Sequence, residues 1–263
     1  MSKRIPLLPG RDRPLLFAHR GLSADAPENT MAAFRLARSE GIPGIELDIH
    51  LSSDGAIIVF HDDDTSRLCP GTAMKIEDSK SADLRRLDIG SWKDSRFCDQ
   101  RMPVLAEVLE ELKGELYIDI EIKGRSTHDI GLEAALADLL ADFRLDASSV
   151  CVSSFNPIIL RRFKILAPGI PTAIIYCDSE ELPRYLRHGE GRWIAAADYL
   201  KPKSSELSLG RTRLGHSLGL RPVVPWTVDQ PEEAAALLKA GCVGLVSNQP
   251  NRLGLSLSNG GIQ

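Results

Sequence analysis

The chain has 263 residues, of which 43% are hydrophobic and 26% charged, a composition typical of a soluble globular protein with a sizeable core. Its formal net charge of −4 argues against a nucleic-acid-binding protein but is compatible with an anionic small-molecule substrate, because a few local cations can outweigh the net charge. Five scattered cysteines without a CxxC pair, no apolar stretch of membrane-spanning length and no signal-peptide core in "MSKRIPLLPGRDRP" together predict a reduced, cytoplasmic protein.

Short apolar, β-branched runs recur along the chain and alternate with segments of helical periodicity. The runs cover residues 15–19, 44–49, 116–122, 150–155, 172–177, 194–200, 222–228 and 243–248. Helical patterns cover 28–41, 104–114, 129–143, 156–169 and 230–241, with Asn29 and Asn156 as candidate N-caps. Eight buried strands that alternate with helices favour an α/β fold, a (β/α)8 TIM barrel formed by one domain over residues 1–263. A doubly wound open sheet is the alternative, but the glycine-rich first turn typical of it is missing from the sequence.

The interval between the second and third runs is longer than one helix requires. It contains the turn "SSDG" and a further apolar run, "AIIVFHDD" (56–63), which predicts an extra strand. The polar stretch that follows predicts a small insertion over about 62–100. In a barrel, chain inserted after a strand lies at the carboxyl-terminal mouth, where active sites are built. We therefore expect this insertion to pack over the mouth.

Two pairs of carboxylates stand inside otherwise apolar strands. Residues i and i+2 of a strand point to the same side, so Glu46 projects with Asp48, and Asp119 projects with Glu121. Buried carboxylates are unfavourable unless they are paired with cations or bound to metal. Ion pairs with Lys or Arg are one explanation, and two such pairs on adjacent strands favour the other, a metal site. Oxygen ligands without a His or Cys cluster indicate a hard cation, Mg²⁺ or Ca²⁺.

Two histidines end apolar strands in the same way, His19 in "LLFAH" and His61 in "IIVFH". A single histidine at a strand end is more often structural, but a pair beside clustered carboxylates can act as general base and general acid. Arg20 and Lys123 flank the same strand ends and supply positive charge suited to phosphate oxygens. The combination indicates a site for an anionic phosphate ester.

Several longer motifs follow one another in a specific order. The segments "HRG", "PENT", "ELDI", "SSDG" and "IVFHD" stand between residues 19 and 62, and "IDIEIK", "SSF", "PWTVD" and "VGLVSNQP" come later. This pattern resembles the glycerophosphodiester phosphodiesterase family over nearly the whole chain. The resemblance implies a TIM barrel that uses a divalent metal ion, Mg²⁺ or Ca²⁺ with Mn²⁺ as a further candidate, to hydrolyse glycerophosphodiesters to glycerol 3-phosphate and an alcohol. It also implies metal ligands at Glu46, Asp48 and Glu121, an acid–base pair at His19 and His61, phosphate contacts at Arg20 and Lys123, and pocket-lining positions at Ser154, Phe155 and Trp226.

Some points of this interpretation stay open at the level of the sequence. We assign His19 as base and His61 as acid, but the sequence does not decide their order, nor whether water or the glycerol 2-hydroxyl is the nucleophile. Two departures from the family pattern stand out: Asn248 where an aspartate is frequent, and the turn at 69–71 where threonines are common. The expected partner is a small-molecule glycerophosphodiester, with no nucleic acid and no stable membrane insertion. A homodimer is a candidate assembly, and the sequence does not decide the oligomeric state.

Two alternative functions remain. The first is a lysophospholipase D, or another phospholipid-directed phosphodiesterase of the same barrel type, which would need an apolar surface near the site. Trp92 and Phe97 are the large apolar candidates in the insertion, whereas Leu84 and Leu87 are expected to pack it down. The second is a non-catalytic phosphodiester-binding protein, which the presence of both histidines and all the carboxylates disfavours.

Overall fold

The computed structural model describes residues 15–124 and 127–255, so the N-terminal segment considered above lies outside the described residues. Within these ranges the chain forms one curled sheet covered by helices. The strands are β1 (Leu15–His19), β2 (Gly44–Leu51), β3 (Ile57–Val59), β4 (Tyr117–Ile122), β5 (Val150–Ser154), β6 (Thr172–Tyr176), β7 (Tyr199–Pro202) and β8 (Gly244–Ser247). The helices are α1 (Met31–Ser39), α2 (Ser81–Leu84), α3 (Leu105–Leu112), α4 (Leu132–Asp142), α5 (Pro157–Leu166), α6 (Gly191–Ala195), α7 (Leu209–Ser217) and α8 (Pro231–Lys239).

The strands pair in the order β7-β6-β5-β4-β2-β1-β8, each parallel to its neighbour, and β3 pairs antiparallel with β2 outside this path. The predicted run 222–228 lies between β7 and β8 and closes the ring. The amide of Val224 donates to the carbonyl of Leu200 on β7 at 2.8 Å, and the amide of Val246 on β8 donates to the carbonyl of Pro225 at 2.9 Å. The (β/α)8 barrel and the extra strand are therefore confirmed.

The closing segment differs from the other seven predicted strands because it contains two prolines. Pro222 and Pro225 have no amide hydrogen to donate, so two donors of a regular strand are missing. The carbonyls of both prolines still accept, from the amides of Leu200 and Val246 respectively. Isolated parallel bridges join Leu200 with Val223 and Lys203 with Trp226, so the segment takes the position and most of the hydrogen bonds of a strand.

Three details of the sequence interpretation were wrong. The run predicted as a strand over 194–200 begins inside α6, and its strand, β7, starts only at Tyr199. Helix α7 was not predicted, because its apolar residues do not lie on one face and only Thr212 is buried. Helix α1 is capped by Thr30, whose hydroxyl accepts the amide of Ala33, and not by Asn29. The cap predicted at Asn156 is confirmed, since its side chain accepts the amide of Ile158 at 3.0 Å.

The segment predicted as an insertion, 62–100, packs on the outside of β3 around a small apolar cluster of its own. The cluster consists of Ile58, Phe60, Leu68, Cys69, Ile76, Leu84, Ile89 and Met102, with Leu87 partly buried against it. The insertion also reaches the loop after β1, where Lys93 Nζ donates to the carbonyl of Ser23 at 2.8 Å. It is thereby held at the carboxyl-terminal end of the barrel.

A buried ion pair links three strands inside the barrel. Lys201 Nζ on β7 lies 2.7 Å from Asp119 Oδ2 on β4, and the hydroxyl of Ser153 on β5 donates to Asp119 Oδ1 at 2.8 Å. Burial opposes the charge on Lys201, but Asp119 and then Glu46 raise its pKa above the ordinary value. For Asp119, an ion pair with lysine is thus the correct explanation, and metal coordination is not.

We expect Lys201→Met to lower the free energy of unfolding by about 3–5 kcal/mol, because it leaves the Asp119 charge buried without a partner. The double variant Asp119→Asn/Lys201→Met removes both charges and should regain most of that loss. Urea unfolding at pH 7.5 measures both effects. The exposed Lys239→Met, on α8, is the matched control and should stay within about 0.5 kcal/mol of the unmodified chain. A double variant no more stable than Lys201→Met would contradict this account.

Candidate active site

A cleft of about 860 Å³ opens at the carboxyl ends of the strands. The sequence-predicted residues that line it are His19, Arg20, Glu46, His61, Glu121, Lys123, Ser154, Phe155 and Trp226. Asp48 lies beside this lining, since its side chain is almost fully buried next to Glu46 and Glu121. The structure therefore brings all ten predicted residues together, although they come from six parts of the chain.

Strand register explains how the three carboxylates meet. Asp48 of β2 stands opposite Glu121 of β4, and Glu46 stands opposite His19 of β1. One carboxylate oxygen from each of Glu46, Asp48 and Glu121 lies within 4.8 Å of the other two, and all three residues are buried. The cluster offers only oxygen ligands, the donor set that suits hard divalent cations.

Two cations lie against this cluster. Lys123 Nζ is 2.8 Å from Asp48 Oδ1 and 2.7 Å from Glu121 Oε1, while Arg20 Nε is 3.4 Å from Asp48 Oδ2. Burial favours protonation of Asp48, but Lys123 and Arg20 outweigh it and hold the pKa of that carboxyl well below its usual value. Lys123 is thus a charge partner of the carboxylates in this structure.

Glu46 is in a different electrostatic situation. Burial, and then the neighbouring Asp48, raise its pKa well above the ordinary value. Its Oε2 accepts the backbone amide of Arg20 at 3.0 Å. Asp48 Oδ1 has only the ion pair with Lys123 and no donor in hydrogen-bond geometry among the described residues. Three buried carboxylates within 4.8 Å of one another offer the oxygen ligands that a divalent cation prefers, so the buried acidic triad can hold a metal.

The first histidine is held by the end of β8. Its Nδ1 lies 2.7 Å from Oδ1 of Asn248, and its Nε2 lies 3.9 Å from Oε2 of Glu46. Burial, followed by the charge of Arg20, lowers the pKa of His19 to about 4. The ring is therefore neutral near pH 7, the state that a general base requires.

The second histidine is held by a carboxylate in an ionic network. His61 Nδ1 lies 2.6 Å from Asp62 Oδ1, and Arg67 Nε lies 2.5 Å from Asp62 Oδ2. Arg67 also contacts Glu28 at 2.6 Å, and Glu28 pairs with Arg20 at 2.8 Å. Although burial opposes it, hydrogen bonds from Arg67 and His61 lower the pKa of Asp62. The carboxylate on Nδ1 fixes the orientation of the His61 ring and leaves Nε2 as the nitrogen that can exchange a proton with a substrate.

The backbone after β1 is shaped for these contacts. Arg20 has φ 56°, a left-handed conformation that directs its amide at Glu46 and is unfavourable by about 1–2 kcal/mol for a side chain with Cβ. Gly21 has φ 80°, and a Cβ there would come within 2.7 Å of the Ala33 side chain on α1. Gly21 is thus required for the close approach of this turn to helix α1.

The apolar wall of the site is formed partly by Phe155 and Trp226, whose rings pack edge to face with centroids 5.6 Å apart. The Trp226 indole donates to the backbone carbonyl of Lys201 at 2.9 Å. Ser154 lines the cleft, but its hydroxyl donates to the carbonyl of Ile122 at 2.8 Å. Its present contact is therefore with the protein backbone.

Several site residues were not identified from the sequence. Asn29 donates to Asp48 Oδ2 at 2.8 Å, so the "PENT" segment contributes to the carboxylate cluster and does not merely start a helix. Lys201 lines the cleft, and its signal in the sequence is a lysine directly after the apolar run 194–200. Arg67 and Glu28 carry no local signal, since each is a charged residue in a polar segment and their contact spans 39 positions.

Comparison with known proteins gives a consistent result. The model of the glycerophosphoryl diester phosphodiesterase family matches residues 19–252. A glycerophosphodiester phosphodiesterase of Caldanaerobacter subterraneus is 31% identical over 92% of this chain and 96% of its own, and one of Bacillus altitudinis is 30% identical over 90% and 95%. A phosphodiesterase of Oleispira antarctica, solved with the product sn-glycerol-3-phosphate, is 28% identical with a TM-score of 0.82 over 92% of this chain and 95% of that one. Across residues 15–124 and 127–255, no helix has the length and apolar character needed to cross a bilayer.

Proposed function

Since the chain belongs to the glycerophosphoryl diester phosphodiesterase family and is a phosphodiesterase of that class, we propose that its cleft hydrolyses glycerophosphodiesters to glycerol 3-phosphate and an alcohol. The observation that carries the proposal is the placement of two differently held histidines beside one buried acidic triad. The product bound by the Oleispira antarctica relative supports glycerol 3-phosphate as a product of this chain as well.

In the proposed reaction, His19 Nε2 takes a proton from water while the water oxygen bonds to phosphorus. The bond between phosphorus and the alcohol oxygen breaks, and His61 gives that oxygen its proton. The neutral state of His19 and the carboxylate on His61 Nδ1 support this assignment of base and acid. Arg20, and Lys123 when it exchanges a carboxylate for substrate, would stabilise the phosphate oxygens.

We assign Glu46, Asp48 and Glu121 as the ligands of a divalent cation, Mg²⁺ or Ca²⁺ with Mn²⁺ as a further candidate. When bound, such an ion supplies Lewis-acid stabilisation of charge on the phosphate. The three carboxylates orient it by their position on adjacent strands, and Arg20 and Asn29 orient Asp48. Ser154, Phe155 and Trp226 would border the bound diester.

Replacement of either histidine tests the proton transfers. His19→Ala and His61→Ala should each lower kcat for glycerophosphocholine by roughly 10²–10⁴-fold, the usual contribution of a general acid or base. A coupled assay for glycerol 3-phosphate measures it, and His216→Ala on α7 is the control. Near-full turnover by both variants would refute the mechanism. Transient accumulation of a cyclic glycerophosphate would identify the glycerol 2-hydroxyl, in place of water, as the nucleophile.

Metal binding can be tested without activity. After chelation, titration calorimetry with Mg²⁺, Ca²⁺ or Mn²⁺ should detect one site, and bound metal should raise Tm because it binds only the folded state. Glu121→Gln should weaken binding about tenfold or more through loss of a charged ligand. Glu133→Gln removes a buried carboxylate outside the triad and should bind normally. No binding and no shift of Tm with any of the three ions would refute the assignment.

One observation favours a second substrate class, monoacyl glycerophosphodiesters such as lysophospholipids. The lining of the cleft includes six large apolar side chains: Ile158, Ile175, Leu182, Tyr185, Leu186 and Ile194. Tyr185 and Ile194 remain 67% and 41% exposed although both are large and apolar. Trp92 and Phe97, the candidates suggested by the sequence, are not among the residues that line the cleft. Four of these six residues thus come from the chain between β6 and β7, whereas Ile158 lies on α5 and Ile175 on β6.

Ile194→Asp should lower kcat/KM for lysophosphatidylcholine by about tenfold or more, because an acyl chain would lose apolar contact worth about 1.5–3 kcal/mol. Turnover of glycerophosphocholine should change little, since that substrate has no acyl chain. Ile165→Asp, at a 67% exposed position on α5 outside the cleft, is the matched control. Equal losses for both substrates, or no hydrolysis of the lysolipid by the unmodified chain, would exclude this second function.

The homodimer, the cytoplasmic location and the single domain over 1–263 stay predictions. Mass measurement in solution and localisation of the tagged full-length chain would test the first two.

A further inference from the structure

A chain of hydrogen bonds leads from Asp229 to His19. Asp229 follows the closing segment 222–228, and Asn248 follows β8. Asp229 Oδ1 accepts the backbone amide of Asn248 at 2.8 Å, and Asp229 Oδ2 accepts the Asn248 side-chain amide, from Nδ2, at 2.6 Å. At the other end of this amide, Oδ1 lies 2.7 Å from His19 Nδ1 and accepts the hydroxyl of Ser23 at 3.2 Å.

These contacts determine which way each group points. An ionised carboxylate has only acceptors, so the nitrogen of the Asn248 amide must face Asp229 and its oxygen must face His19. That oxygen can only accept, so the His19 nitrogen opposite it, Nδ1, must carry the ring proton. In the neutral ring, Nε2 then has the lone pair. The orientation of an asparagine amide is ordinarily ambiguous, but here the carboxylate removes the ambiguity.

We propose that Asp229 is a positioning residue which, through Asn248, holds His19 as the Nδ1–H tautomer and leaves Nε2 free to accept a proton. The consequence for catalysis rests on the proposed role of His19 as general base, whereas the tautomer itself does not depend on that role. Asn248 stands between Asp229 and the His19 ring, so Asp229 acts only through the direction it imposes on the Asn248 amide.

The variant Asp229→Asn reverses that direction. Its oxygen still accepts the Asn248 backbone amide, so its own nitrogen faces the Asn248 side chain, which must rotate to present oxygen. The rotated amide then presents nitrogen to His19 Nδ1, and the ring proton moves to Nε2. The double variant Asp229→Asn/Asn248→Asp restores the original tautomer, because the new aspartate accepts from both neighbours.

Nitrogen-15 NMR of the ring, recorded with Mg²⁺ near neutral pH and assigned with His19→Asn, reads the tautomer directly. We expect Nδ1–H in the unmodified chain, Nε2–H in Asp229→Asn and Nδ1–H again in the double variant. With glycerophosphocholine, kcat should fall by roughly 10²–10⁴-fold in Asp229→Asn while KM changes little, and it should recover in the double variant. Gln249→Ala, which removes a hydrogen bond to the backbone carbonyl of Asp229 and leaves its carboxylate untouched, should keep both tautomer and kcat.

An Nε2–H ring in the unmodified chain would overturn the proposal even if Asp229→Asn failed to fold. So would a lowered kcat in Asp229→Asn with the tautomer unchanged, since the residue would then act by another route. If the tautomers follow the expected pattern but kcat is the same in all variants, Asp229 does set the tautomer of His19. The proposed role of His19 as general base would then be wrong.

Discussion

Three carboxylates buried at one end of a barrel must be balanced by positive charge, and much of the surrounding structure follows from this requirement. Glu46, Asp48 and Glu121 lie within 4.8 Å of one another where water cannot screen their repulsion. Such a cluster is unfavourable for folding unless cations lie against it. Lys123 and Arg20 supply part of that charge, and a bound divalent ion would supply the remainder. The repulsion within the cluster opposes folding, so its arrangement suits a cation-binding role better than a purely structural one.

A series of ion pairs connects Arg20, beside this cluster, with the insertion over residues 62–100. Arg20 pairs with Glu28, Glu28 pairs with Arg67, and Arg67 pairs with Asp62, which contacts His61. The insertion that supplies Arg67 is thus part of the site, because its contact with Glu28 joins the environments of the two histidines. The apolar cluster of the insertion packs it against β3, and this packing holds Arg67 in place for its ionic contacts.

The sequence was most informative where a short local pattern determines the structure. Apolar runs located the strands, and the i, i+2 spacing of Glu46 and Asp48 predicted carboxylates on one side of β2. It was least informative where a contact joins distant positions. Nothing near Asp119 distinguishes it from Glu121, yet a lysine 82 positions later turns one into an ion pair while the other stays in the triad.

The departure at Asn248 shows why a motif must be interpreted with its contacts. An asparagine at this position is neutral and can point either of two ways, so by itself it would hold a histidine poorly. Asp229 removes that freedom, because it accepts from both the backbone and the side chain of Asn248. The two histidines therefore differ in kind: a carboxylate touches His61 directly, whereas an amide separates the carboxylate from His19. The same side chain is thus held in two ways, by an ionic contact at His61 and by a neutral amide at His19.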